Sequence, residues 1–294
     1  MDPRIAKERL WRLLNRQHGR VTRAQLRQLG ISDTMVRSWL EGDRMRRVLP
    51  KVYAVGHRAE SREADLWAAV LYAGPEAMLS HRSAAHWRGL IDYPPRAIEV
   101  STPRRITSTQ RVTVYCQRSI RREFHHRLPV ASVEQTVLDV AAVASLKVLR
   151  RVLANLDYRG ELDPPALMRM CRRGRPGSAR LRQAIEIHQP QLARTNGPLE
   201  QEFLVWCERH RVPIPIFNAK LHGIQVDAYW PAAALVIELD GHANHSSKAQ
   251  LRRDRRNELT LRRRGITVLR YDWELLHRLP RQIHGEIMAI LRRA

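Results

Sequence analysis

The chain has 294 residues and carries 52 Lys and Arg against 29 Asp and Glu, a formal net charge of +23. That length allows two or more compact units, and a field of that sign favours polyanions, above all double-stranded DNA. Cys116, Cys171 and Cys207 stand far apart with no Cys-x-x-Cys pair, which argues against a disulfide scaffold and a cysteine zinc site and fits a reducing compartment. No apolar run approaches the roughly 20 residues of a membrane span, and Met1-Asp2-Pro3-Arg4-Ile5-Ala6-Lys7 lacks the apolar stretch of a signal peptide. The expectation is a soluble, cytoplasmic protein with no membrane partner.

Residues 1–56 read as a first unit. Ile5, Leu10, Leu13 and Leu14 give an amphipathic helix. Thr22-Arg23-Ala24-Gln25 has capping-box form and opens a short helix that Gly30 ends. Ser32 caps the next helix, in which Met35, Val36, Trp39 and Leu40 are expected to share a face. Two short helices joined at Gly30-Ile31 make a helix-turn-helix pattern, and residues 45–55 read as a hairpin wing. The second helix then presents Thr34, Arg37 and Ser38, with Asp33, to a major groove, while Arg46, Arg47 and Lys51 grip phosphates. A helical module that only contacts proteins is the alternative.

Residues 57–190 read as a mostly helical α+β middle region. Helices are expected around Leu66–Ala73, Ser80–Leu90, Val133–Ala142, Leu146–Leu156, Ala166–Cys171 and Ala179–His188, and strands over Ala97–Ser101 and Val112–Gln117. His81 and His86 lie five apart, the wrong spacing for two ligands on one helical face, so capping and packing roles are expected. No chemistry is assigned to this region.

The last unit, residues 195–294, follows a linker punctuated by Gln189-Pro190 and Asn196-Gly197-Pro198. A helix carrying Glu200 leads into the stretch Gln225 to His242, which reads as two strands joined by a turn over Pro231 to Ala234. That turn sets Asp227 opposite Glu238 or close to it, and the period of two puts Glu238 and Asp240 on one face. Three carboxylates near a sheet end are costly without a cation, and oxygen-only ligands on strands suit Mg²⁺. The bland alternative is a sheet-edge hairpin with solvated acids. A strongly basic helix over residues 247–264, a strand over 266–271 and a closing helix with Ile283, Ile287 and Ile290 complete an α/β unit. Lys248, Arg252 and Arg256 on the basic helix are candidate phosphate contacts.

Two resemblances sharpen these readings. Gly19-Arg20-Val21-Thr22-Arg23-Ala24-Gln25-Leu26, Leu29-Gly30-Ile31-Ser32 and Arg46-Arg47-Val48-Leu49-Pro50-Lys51-Val52-Tyr53-Ala54 resemble the N-terminal domain of AbiEi-type antitoxins of type IV toxin–antitoxin systems. That implies a winged helix-turn-helix and, in true antitoxins, repression of their own operon. The sequence departs from that pattern at Lys51, where the family usually has Gly. Pro198-Leu199-Glu200, Val226-Asp227, Glu238-Leu239-Asp240-Gly241-His242, Asp254-Arg255-Arg256 and Gly265-Ile266-Thr267-Val268-Leu269-Arg270-Tyr271 resemble the very-short-patch-repair-like endonucleases, which have the PD-(D/E)XK core.

The second resemblance implies a restriction-endonuclease-like α/β domain with Mg²⁺ as cofactor. Asp227 and Glu238 are its metal ligands, Glu200 holds a metal-bound water, and the Leu239 carbonyl completes the shell. The family's catalytic lysine falls at Asp240, which instead suits a second metal. His242 or His245 is either a general acid–base or structural, and Asp254 with Arg256 supports the site. The expected whole is a multi-domain α/β protein with three possible functions. It is a Mg²⁺-dependent DNA endonuclease, a non-catalytic DNA-binding regulator, or an antitoxin module that neutralises a toxin protein.

Overall fold

The computed structural model describes residues 3–56, 61–118, 121–240 and 248–293, which form thirteen α-helices and three β-sheets. They divide into two compact units: Met1–Leu156 with Glu161–His188, and Asp157–Gly160 with Gln189–Ala294. No helix among the described residues is long and apolar enough to cross a membrane.

The first unit opens with α1 (Pro3–Arg16), β1 (Arg20–Thr22), α2 (Arg23–Gln28), α3 (Asp33–Glu41), β2 (Met45–Leu49) and β3 (Val52–Val55). The strands form an antiparallel sheet in the order β1-β3-β2. The capping box is present in full. The Thr22 hydroxyl accepts from the Gln25 N–H at 3.1 Å, and the Gln25 side chain accepts from the Thr22 N–H at 2.9 Å. Ser32 caps α3 through the Met35 N–H at 3.2 Å, and Arg27 reaches from α2 to Asp33 at 2.9 Å. Leu10, Leu14, Val21, Leu26, Val36 and Tyr53 fill the core between these elements. Met35 does not share that face; it is 46% exposed, because only Val36 in that turn points inward.

The chain continues with α4 (Arg62–Ala73), β4 (Met78–Leu79), α5 (His81–Trp87), β5 (Ile98–Thr102), β6 (Val112–Cys116), β7 (Arg122–His125) and β8 (Leu128–Ala131). Four helices then follow: α6 (Val133–Val143), α7 (Leu146–Tyr158), α8 (Pro164–Met170) and α9 (Ser178–Glu186). The second sheet runs β6-β5-β4-β8-β7, parallel at β5–β6 and β4–β8. Leu49 and Val52 of the β2–β3 hairpin pack in one cluster with Leu66, Ala69, Leu79 and Val100, so the first 56 residues share a core with the region that follows. A second cluster, including Val137, Leu153, Leu167 and Leu181, is built mainly from helices.

The second unit contains a 3-10 turn (Pro190–Arg194), α10 (Pro198–His210), β9 (Ile216–Leu221), β10 (Ile224–Trp230) and β11 (Leu235–Asp240). It ends with α11 (Lys248–Arg262), β12 (Thr267–Asp272), α12 (Trp273–Arg278) and α13 (Pro280–Leu291). Its sheet runs β12-β11-β10-β9, antiparallel except at β11–β12. A parallel pair needs a crossover, and the basic helix α11 supplies it. Gly265, at φ 77°, closes that helix. Strand β9 and helix α12 were not expected from the sequence.

Candidate functional site

The site rests on how β10 and β11 pair. Ala228 faces Ile237, Tyr229 faces Val236 and Trp230 faces Leu235. The same register carried one step further brings Asp227 opposite Glu238. On one side of the sheet Trp230 meets the Phe203 ring of α10 at 6.3 Å between centroids. On the other, Val236 and Val268 pack against Leu261 of α11. Both faces therefore carry apolar cover, and Asp227 and Glu238 lie half-buried within it.

Asp227 and Glu238 lie against each other. One Asp227 oxygen accepts from the Leu239 N–H at 2.7 Å, and Glu238 lies close enough to act on the Asp227 carboxyl. Burial is the main reason that Glu238 is pushed up to about 8, and the negative charges of Asp227, Asp240 and Asp254 add to it against the pull of Arg270. Burial also raises Asp227, with Asp240 adding and the Leu239 N–H opposing. The pair is thus short of positive charge.

Asp240 lies at the rim, where Arg270 donates to it at 3.2 Å. The parallel register of β11 and β12 sets Arg270 beside Glu238, and Arg270 also approaches Glu258 of α11 at 3.6 Å. Glu238, Asp240, Asp254, Asn257 and Arg270 line a cleft of about 150 Å³. Arg256, expected to support Asp254, is exposed on the same helix. Arg270 is a functional candidate that the sequence did not single out; its only signal was a lone cation in the strand.

Glu200, expected to hold a metal-bound water, is held by amide groups of the chain. Its carboxylate accepts from the Asn196 N–H at 2.7 Å and from the Asn218 amide at 2.6 Å. Burial raises its pKa, and the charge of Asp227 adds to the shift. Asn218 sits in β9 across from Asp227, between the pairs Val226–Ala219 and Ala228–Phe217, and takes a left-handed φ of 52°. Its side-chain oxygen accepts from Gln225 at 2.7 Å. An amide relay therefore links Glu200 to the strand that carries Asp227.

Among the described residues, no group of three His, Cys, Asp or Glu side chains converges on one point. Asp227 and Glu238 are brought together as a pair, with Asp240 drawn aside by Arg270. His242 lies outside the described residues, as do Gly241, His245 and the side chains of Lys248 and Arg252. The pair still fits a hard divalent ion. Both donors are carboxylate oxygens, and Mg²⁺ is commonly held by one or two carboxylates while water and substrate phosphate fill the rest of its shell.

In the first unit, Thr34, Arg37 and Ser38 are exposed on α3, on the far side from buried Val36. Arg46 and Arg47 are exposed on β2, and Lys51 is exposed in the β2–β3 turn. No protein-family model matches the chain, and no curated protein matches it either.

Proposed function

We propose that the chain is a DNA-binding protein whose second unit is a Mg²⁺-dependent endodeoxyribonuclease. The observation that carries this reading is the Asp227–Glu238 pair: two half-buried carboxyl groups in contact, both raised in pKa, beside the Arg270 cation. The order of elements from α10 to β12 and the five sequence blocks shared with the very-short-patch-repair-like endonucleases support it. The first unit supplies duplex affinity through a winged helix-turn-helix, with α3 as the groove helix and Arg46, Arg47 and Lys51 on phosphates.

The chemistry that a bound Mg²⁺ contributes is polarisation of a phosphodiester oxygen and a lower pKa for the attacking water. The protein's own share is positional and electrostatic. Asp227 and Glu238 would hold the ion as carboxylates, and binding it would release the proton that burial favours on Glu238. Arg270 offers a guanidinium to the negative charge that grows on the phosphate, the task a lysine performs in the resembling family. Glu200, through Asn218, fixes the strand that presents Asp227.

A second reading is a non-catalytic regulator or antitoxin with the same DNA-binding front. It is favoured by one fact, that Asp240 occupies the position of the family's lysine. A plasmid-nicking assay separates the two. Cutting that needs Mg²⁺, stops with EDTA, and falls at least about a hundredfold in Asp227→Ala and Glu238→Ala supports the nuclease. Duplex binding without any cutting supports the regulator. Absence of both, with a toxin protein captured, supports the antitoxin.

A further inference from the structure

The first unit holds a cavity that the proposed nuclease does not use. It is about 1070 Å³, at the upper end of small-molecule sites, and lies among the end of β6, helix α6 and helix α8. Asp139 of α6 lines it and is only 5% exposed. One oxygen of Asp139 accepts from Gln135 at 2.6 Å and from Gln117 at 3.1 Å. The other oxygen, Oδ2, is buried and has no hydrogen-bond partner among the described residues. A buried carboxylate oxygen without a close donor is costly; burial raises the Asp139 carboxyl to about 6, which offsets part of that cost, and a donor brought by a ligand would offset more.

The wall beside it is aromatic and held under strain. His81 stacks on Tyr115 with ring centroids 3.6 Å apart, and its Nδ1 lies 2.9 Å from the Ser80 hydroxyl and 3.8 Å from Asp139 Oδ2. Its φ of 50° is left-handed, a conformation that a buried non-glycine residue keeps only when its surroundings impose it. Burial drives its pKa down to about 3, so the ring is neutral. His86 differs: it packs and bonds the Ile91 carbonyl at 3.1 Å.

The mouth of the cavity is cationic. Arg121, Arg169 and Arg172 are exposed along it. Arg175 is half-buried and donates to Gln135 at 2.9 Å. The two acids at the mouth have local duties: Asp163 caps α8 through the Ala166 N–H at 2.8 Å, and Glu134 accepts from the Ser132 hydroxyl at 2.9 Å.

We propose that this cavity binds a nucleoside phosphate, its base N–H donors on Asp139 Oδ2 and its phosphate on Arg169 and Arg172. A flat base fits beside the His81–Tyr115 stack, and guanidinium groups are the side chains best shaped for phosphate. The same chemistry is carried by a free nucleotide and by the 5′-phosphorylated end of a strand.

The test is isothermal titration calorimetry on the full chain. GMP, AMP and a 5′-phosphorylated dinucleotide are compared with guanosine and inorganic phosphate. A nucleoside phosphate should bind at least about tenfold more tightly than nucleoside or phosphate alone, a gap of roughly 1.4 kcal/mol. Preference for the mononucleotide assigns a free ligand, and preference for the dinucleotide assigns a strand end. Asp139→Asn, and separately the pair Arg169→Ala with Arg172→Ala, should each weaken binding about tenfold or more. Asp227→Ala should leave it unchanged, which separates this site from the proposed nuclease. No binding by any nucleotide overturns the proposal. So does undiminished binding in Asp139→Asn or, should that variant not fold, in the double arginine variant.

Discussion

Glu238 is ill at ease as an anion, and that has a measurable consequence. Its carboxyl titrates near 4.5 in an unfolded chain and at about 8 in the fold. A raised acid stabilises the fold fully below its unfolded value and loses that contribution as pH rises through the folded value. The ion-free protein should therefore lose stability between about pH 5 and 8, by an amount on the order of a few kcal/mol at most. Glu238→Gln should melt higher than the parent at pH 8 in EDTA and show a flatter profile, with the two converging near pH 5. Equal pH dependence in the two proteins would contradict this electrostatic description. Asp227 and Glu238 were legible in the sequence because alternation and a four-residue turn fix their register. Arg270, Asn218 and Asp139 were not. Arg270 depends on a parallel pairing across α11, Asn218 on a left-handed residue inside a strand, and Asp139 looked like one more polar residue on an amphipathic helix.

At the scale of elements, the β2–β3 turn shows how a local rule was bent. Lys51 takes a φ of 61°, a left-handed conformation that suits glycine. Lys51→Gly relieves that strain but loosens the unfolded chain. The balance should be a gain of about 0.5–1 kcal/mol in thermal or urea unfolding. The same change removes an exposed cation from the proposed wing, so duplex affinity should fall while stability rises. Loss of both would mean that Lys51 makes a structural contact that outweighs the strain. Helices α2 and α3 were legible because Thr22, Gln25 and Ser32 cap them by local chemistry. Strands β4, β7, β8 and β9 were not. β4 is two residues long, β7 is largely exposed, Pro129 interrupts β8, and Asn218 interrupts β9.

The whole molecule carries a net charge of +23, and duplex binding should depend steeply on salt. If Arg46 and Arg47 each neutralise a phosphate, replacing both with Ala should make the slope of log affinity against log salt shallower by roughly 1.8. An unchanged slope would move the duplex-binding surface away from the β2–β3 hairpin. Composition carried the expectation of a nucleic-acid partner from the outset. What it could not give was the division of the chain, because Leu49 and Val52 are separated in sequence from the α4 and β5 residues whose core they complete.

The most direct test is calorimetric titration of Mg²⁺ into the EDTA-treated, dialysed full chain at pH 7.5, beside Asp227→Asn and Glu238→Gln. One saturable site in the parent, weakened about tenfold or more by either substitution, is the expected result. A parent that takes up no ion, or variants that bind it as well as the parent does, would contradict the assignment of these two carboxylates as the cation site.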